Sequence, residues 1–145
     1  MLNKSFSVIV SKQIKNYKKN IKVDSDKSIS IRSFLIGSIS HNISKVKNPL
    51  DSDDVLAVKN CLKKLNVKIK KNPSDYYSIY GKGLGSLYCK KGTVLSLENS
   101  GTGLRLLCSI LATTPNIDVM LTGDSSLRKR NMSKLISLMN EFGAE

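Results

Sequence analysis

Apolar and polar positions alternate along this chain in two distinct rhythms. Phe6–Val10 and Lys19–Val23 cluster β-branched residues around a Lys/Asn-rich turn and read as short strands. Asp24-Ser25-Asp26 offers helix N-cap chemistry, and the apolar stretch Ser28–Ile39 behind it, with Phe34, Leu35 and Ile39, predicts a helix. Ile43–Val46 reads as a strand. Asp51-Ser52-Asp53-Asp54 then opens a second helix, with Val55, Val58, Leu62 and Leu65 spaced by three and four on one face. Val67–Lys70 and Tyr76–Tyr80 read as strands around an Asn72-Pro73 turn, and Gly81–Gly85 as a loop. Thr93–Leu97 predicts a strand, Asn99–Gly103 a glycine-bearing turn, and Leu104–Ala112 a helix. Val119–Leu121 predicts a strand, Gly123–Arg130 a loop, and Met132–Phe142 a last helix. Strands and helices in alternation define an α/β chain. The closing Phe142-Gly143-Ala144-Glu145 reads as a helix C-cap leading towards a further strand, so the chain is expected to stop in mid-fold.

Composition narrows the class. At 145 residues with 40% hydrophobic and 24% charged side chains, the chain is globular in make-up and at most one ordinary domain or a piece of something larger. No apolar run approaches the length of a membrane span, and no secretory leader is evident. Cys61, Cys89 and Cys108 lack CxxC spacing and His41 is the single histidine. A disulfide framework, a thiolate zinc site and histidine-based chemistry therefore have little material, and a reducing, cytoplasmic location is expected.

Charge adds a partner class. The net charge is +13, of which residues 1–72 carry +11 (16 basic, 5 acidic) and residues 73–145 carry +2 (8 basic, 6 acidic). Such a balance fits an anionic partner, and it equally fits a coding bias towards Lys, Asn, Ile and Ser. In a chain so biased to lysine, the four arginines Arg32, Arg105, Arg128 and Arg130 are candidates for bidentate recognition of phosphate or carboxylate.

Three loops pair backbone amides with cations. Asp26-Lys27-Ser28-Ile29-Ser30-Ile31-Arg32 places a lysine and a serine at a helix N-terminus, with Arg32 one turn beyond Ser28. Asn99-Ser100-Gly101-Thr102-Gly103 leads into a helix carrying Arg105 in its first turn. Gly123–Arg130 ends in the consecutive cations Arg128-Lys129-Arg130, which repel one another unless an anion sits among them. Each loop alone also reads as an ordinary cap, a strand-to-helix turn or an exposed basic segment.

Taken together, four segments resemble the 5-enolpyruvylshikimate-3-phosphate synthase family in order and spacing: Asp26-Lys27-Ser28-Ile29-Ser30-x-Arg32, Leu50-Asp51-Ser52-Asp53-Asp54, Asn99-Ser100-Gly101-Thr102-Gly103-x-Arg105 and Leu121-Thr122-Gly123-Asp124-x-Ser126-Leu127-x-Lys129-Arg130. The resemblance covers about residues 5–145. It implies the enolpyruvyl transferase fold of repeated βαβαββ units, an inside-out α/β barrel, with only the N-terminal third present. Residues 1–23 would be first strands of the domain that the C-terminal half completes, residues 24–145 a partial N-terminal substrate-binding domain, with a hinge near 24–26.

The activity implied is transfer of the enolpyruvyl group from phosphoenolpyruvate to the 5-hydroxyl of shikimate 3-phosphate, releasing phosphate, towards chorismate and aromatic amino acids. It passes through a tetrahedral ketal and needs no metal or cofactor. By similarity Lys27 is catalytic and reaches both substrates, Ser28 and Arg32 hold shikimate 3-phosphate, and Gly101 and Arg130 hold phosphoenolpyruvate. Asn99, Thr102 and Arg105 support the same turn, while Asp51–Asp54 read mainly as the cap of the second helix. The family's aspartate general base, its catalytic lysine and further arginines belong to the later half, so residues 1–145 alone are expected to be inactive and poorly folded. The complete enzyme is expected to be a monomer that binds small molecules, with no nucleic acid and no membrane partner, and Gly101 implies inhibition by glyphosate.

Three departures from the family pattern stand out: Asp24-Ser25 replaces a usual Pro-Gly, Ile31 precedes Arg32 where His or Asn is common, and Asn131 follows the last arginine in place of Pro. Two other readings compete. The sister enzyme acting on UDP-N-acetylglucosamine carries Lys-Asn in its first motif and a loop cysteine that none of the three here matches. A basic nucleic-acid-binding module would draw on the net charge, but Tyr76, Tyr77 and Tyr80 follow strand periodicity and form no recognisable stacking motif. A fragment, a decayed gene product or one part of a split enzyme is compatible with the family resemblance.

Overall fold

The computed structural model describes residues 23–144 together with Ser7, Ile9, Ser11, Lys18, Asn20 and Ile21. The strands expected at Phe6–Val10 and Lys19–Val23, and the domain division resting on them, lie largely outside the described residues. Ten elements follow: α1 (Lys27–Ile39), β1 (Ile43–Lys47), α2 (Asp53–Lys64), β2 (Lys68–Asn72), β3 (Tyr76–Tyr80), β4 (Thr93–Ser96), α3 (Gly101–Ala112), β5 (Val119–Thr122), α4 (Ser125–Arg128) and α5 (Ser133–Glu141).

Local chemistry fixes the helix starts. The Asp26 carboxylate accepts the Ile29 N–H at 2.7 Å and caps α1. Ser52 caps α2, whose first turn carries Asp53 and Asp54 and whose last turn carries Lys63 and Lys64, matching both ends of the helix dipole. Ser100 caps α3 by accepting the Gly103 N–H at 3.3 Å. That cap corrects one expectation: Gly101–Gly103 are the first turn of α3 and not a turn before it. Glycine is a poor helix former, but a Cβ at Gly103 would lie 2.6 Å from Val58 Cγ2 and 2.7 Å from Ser100 Oγ. Close approach of α3 to α2 therefore requires the missing side chain.

The segment Gly123–Arg130 also differs from its expectation as a loop. Asp124 accepts the Leu127 N–H at 2.7 Å and Leu127 is buried, so one turn of helix, α4, forms there.

The strands make two sheets. β1, β3 and β2 pair in that order, all antiparallel, while β4 and β5 pair in parallel around the α3 crossover. α1 and α2 pack on one face of the three-stranded sheet, burying Ile31, Phe34, Leu35, Val58, Leu62 and Ile79. The order α-β-α-β-β from α1 to β3, then β-α-β from β4 to β5 with α5 beyond, repeats one helix-and-strand rhythm along the chain. α1 is apolar nearly all round, and Ile29 and Ile36 on its other side stay exposed.

Cys61 sits inside this core, its thiol donating to the Ser96 carbonyl at 3.2 Å. Burial pushes the thiol pKa up to about 11 from an ordinary 9.0, with Lys64 pulling down and Glu98 pushing up by smaller amounts. A raised folded pKa means that the unfolded chain releases this proton first. Stability is therefore expected to be unaffected by this group below about pH 9 and to fall between about pH 9 and 11. Urea midpoints of the parent and Cys61→Ala across that range test this, the difference between them narrowing as pH rises; a constant difference would remove Cys61 as the cause.

Candidate functional site

The N-termini of α1 and α3 and the segment after α4 meet at one cleft. The β5–α4 connection is tied to the β4–α3 connection by Leu97 N–H to Thr122 O and Asp124 N–H to Glu98 O, both at 2.9 Å. A Cβ at Gly123 would fall on the Glu98 carbonyl and on Leu127, so the two connections approach this closely only with glycine there. Leu127 anchors α4 in the core, and the chain emerging from it lays Arg130 across the start of α3.

Lys27, Asp54, Asn99, Gly101, Thr102, Arg105 and Arg130 line the resulting cleft of about 350 Å³. Arg130 Nη2 donates to Asn99 Oδ1. Lys27 Nζ lies 2.6 Å from Asp54 Oδ2, with the lysine side chain 51% and the carboxylate 18% exposed. Three cations and one carboxylate, the latter paired with Lys27, thus line a cleft beside the first turn of α3, whose dipole favours an anion. The arrangement is suited to a ligand carrying more than one negative charge, since each cation can bond a separate oxygen.

Gly101 contributes in an unexpected way. Its N–H already donates to the Asn99 carbonyl at 2.9 Å, so its direct offering to the cleft is space: a Cβ there would overlap the Arg130 guanidinium. Asp54 was not among the expected site residues. Its place in the first turn of α2 is fully accounted for by the helix dipole, and no local signal in the sequence marks its partner on α1.

The structure brings together Lys27, Asn99, Gly101, Thr102, Arg105 and Arg130 but separates Arg32 from them. Arg32 is exposed on α1 and lines a neighbouring groove between α1 and β1 with Ile29, Ser33, Ile36, Gly37, Ser44, Lys45 and Val46. Ser28, half-buried in the first turn of α1, lies between Lys27 and that groove along the chain. Among the described residues no group of three or more His, Cys, Asp or Glu is placed to hold a metal ion, and no helix is long and apolar enough to cross a membrane.

The fold and the cleft together define the class: an α/β chain with three cations lining a cleft at a helix N-terminus. The family model for EPSP synthase (3-phosphoshikimate 1-carboxyvinyltransferase) matches residues 11–145. The chain belongs to that family. It is 41% identical over 126 residues to a 3-phosphoshikimate 1-carboxyvinyltransferase of Caldicellulosiruptor bescii, covering 87% of this chain and 28% of the relative. A Desulforamulus reducens protein of the same name is 37% identical over 136 residues, 94% of this chain and 31% of its own length. Among solved structures, EPSP synthase from Acinetobacter baumannii superposes with a TM-score of 0.78 at 32% identity, over 86% of this chain and 28% of that one. The fold is accordingly the α/β enolpyruvyl transferase fold, and the chain spans under a third of the length of these relatives. The resemblance carried by the four motifs is borne out.

Proposed function

We propose that these 145 residues form part of the substrate cleft of an enzyme transferring the enolpyruvyl group from phosphoenolpyruvate to the 5-hydroxyl of shikimate 3-phosphate. The observation that carries this reading is the meeting of Lys27, Arg105 and Arg130 at the start of α3 in a chain of the EPSP synthase family. Phosphoenolpyruvate presents a carboxylate and a phosphate; Arg130, held by Asn99 above Gly101, binds one, and Lys27 bridges towards the second substrate. Thr102 and Arg105 line the same cleft as supports. Ser28 and Arg32 hold shikimate 3-phosphate along α1, on the Lys27 side of the cleft.

The substrate hydroxyl adds to C2 of phosphoenolpyruvate while C3 gains a proton, giving a tetrahedral ketal. Loss of a C3 proton and cleavage of the C2–O bond to phosphate then leave the enol ether and inorganic phosphate. Fixed cations serve both steps because negative charge gathers on the departing phosphate. Lys27 must exchange part of its bond to Asp54 for substrate, which places Asp54 as the group positioning that ammonium between turnovers.

In this reading residues 1–23 contribute to the domain completed elsewhere in the enzyme and residues 24–145 to the N-terminal domain. The complete enzyme is a cytoplasmic monomer, and residues 1–145 alone release no phosphate. A chimera tests the proposal: residues 1–145 replace the corresponding part of the Acinetobacter baumannii enzyme, and phosphate release is followed with both substrates. Release requiring both substrates, and lowered at least about hundredfold by Lys27→Met, is expected. A folded chimera whose turnover is indifferent to Lys27→Met would overturn it. Glyphosate is expected to inhibit the same chimera, and undiminished turnover at millimolar inhibitor would refute that expectation.

A further inference from the structure

Opposed residues of an antiparallel pair share a face, so the register assigns the two faces of the β1-β3-β2 sheet. Ser44, Ile79 and Ile69, then Val46, Tyr77 and Lys71, form the rows turned towards α1 and α2. There Ile79 is fully buried and the Tyr77 ring meets Phe34 edge to face at 5.4 Å. The opposite face carries three other rows: Ile43–Tyr80–Lys68, Lys45–Ser78–Lys70 and Lys47–Tyr76–Asn72. Four lysines and two tyrosines therefore share a solvent-facing surface on which the register places no carboxylate.

All four lysines are exposed, and none takes part in either ion pair found among the described residues, Lys27–Asp54 and Lys91–Asp118. Lys68 Nζ stands 4.9 Å from the Tyr80 ring centroid and Lys45 Nζ 5.7 Å from that of Tyr76. Each half-buried ring thus has the ammonium of an exposed lysine over it. The two rings are four residues apart on one strand, about 13 Å at the usual rise. Folding does not ask for this composition: any polar residue satisfies an exposed strand position, whereas like charges two residues apart on one face of a strand, as at Lys45 and Lys47 or Lys68 and Lys70, repel.

Contrary to the expectation from sequence of no nucleic-acid partner and no stacking motif, we propose that this outer sheet face binds single-stranded nucleic acid, with Lys45, Lys47, Lys68 and Lys70 on the phosphates and Tyr76 and Tyr80, which the register sets apart from Tyr77, stacked on unpaired bases. Charge alone would serve any polyanion; the paired rings select a ligand with accessible flat faces, which a duplex keeps inside its stack. The surface lies on the side of the sheet away from α1 and α2, and the inference does not rest on the transferase reading.

Fluorescence anisotropy of the full 145-residue chain with fluorescein-labelled dodecauridylate, between 50 and 200 mM salt, tests it. Neutralising four phosphates predicts a log–log salt slope of about −3. Lys68→Gln/Lys70→Gln is expected to halve that slope and weaken binding about tenfold, whereas Lys63→Gln/Lys134→Gln, on α2 and α5, weakens it by less than about twofold. Tyr80→Leu is expected to weaken binding at least about fivefold without changing the slope, and Tyr80→Phe to retain it. The lysine variants replace exposed side chains and carry the test if Tyr80→Leu loses its thermal transition. Equal losses from the two lysine pairs, an affinity indifferent to Tyr80→Leu in a folded chain, equal binding of a duplex, or binding of phosphatidylserine vesicles without binding of dodecauridylate would each overturn the proposal.

Discussion

Gly101→Ala is expected to raise the KM for phosphoenolpyruvate by about ten- to hundredfold while leaving the chain at least as stable as before. The Cβ would overlap Arg130 Nη1, and Arg105 Nη1 stands only 3.5 Å away, so the guanidinium of Arg130 must swing off Asn99 and out of the cleft. Losing one charge-assisted hydrogen bond to an anion costs about 1.5–3 kcal/mol, which is that fold-change in affinity. The backbone at Gly101 is helical, and alanine is favoured over glycine there by up to about 1 kcal/mol. Affinity and stability therefore move in opposite directions. The chimera gives the KM and a thermal melt of the chain gives the stability; a melt that falls together with affinity would mean that the alanine disrupts α3 and not Arg130.

Phe34→Ala is expected to cost about 3–5 kcal/mol of folding stability, the usual range for emptying a fully buried aromatic site. Phe34 has no exposed surface, packs edge to face on Tyr77, and lies 5.8 Å from the buried ammonium of Lys59. Lys59 also stands 4.7 Å over Tyr77 and donates to its hydroxyl at 3.4 Å, so the two rings are its principal partners. Removing one ring leaves both a cavity and a charge with half its aromatic contact. Since a domain's whole stability is about 5–15 kcal/mol, the variant should be largely unfolded in mild denaturant. Urea denaturation followed by circular dichroism measures the loss, and a cost below about 1.5 kcal/mol would show that α1 does not anchor this core.

The α/β class and most elements were legible because apolar spacing and caps agree locally. Val55, Val58 and Leu62 face inward from α2 as their spacing requires, and Asp26 caps α1. Legibility failed where tertiary contacts decide. The glycines of Gly101–Gly103 read as a turn by propensity, yet at Gly103 contact with Val58 makes glycine necessary inside the helix. α4 is a single turn, too short to show a period, and forms because Leu127 reaches the core.

The cleft divides the same way. Lys27, Gly101 and Arg130 were found through their motifs, whereas the bond from Lys27 to Asp54 joins two helices whose separation no local pattern records. The i, i+4 spacing of Ser28 and Arg32 was sound helix geometry, but it does not set the rotation of α1, which turns Arg32 towards β1. Likewise the alternation of β3 was plain, but which neighbours bring lysines beside Tyr76 and Tyr80 depends on the sheet order β1-β3-β2.

The central claim is that Lys27 and Arg130 gather a substrate anion at the start of α3. Two-dimensional amide spectra of the chimera, nitrogen-15-labelled in residues 1–145, during a phosphoenolpyruvate titration with shikimate 3-phosphate present test it most directly. The account predicts saturable shifts centred on Asn99, Gly101 and Thr102, abolished by Arg130→Ala. Shifts scattered over surface lysines, unsaturated and unchanged in Arg130→Ala, would contradict it.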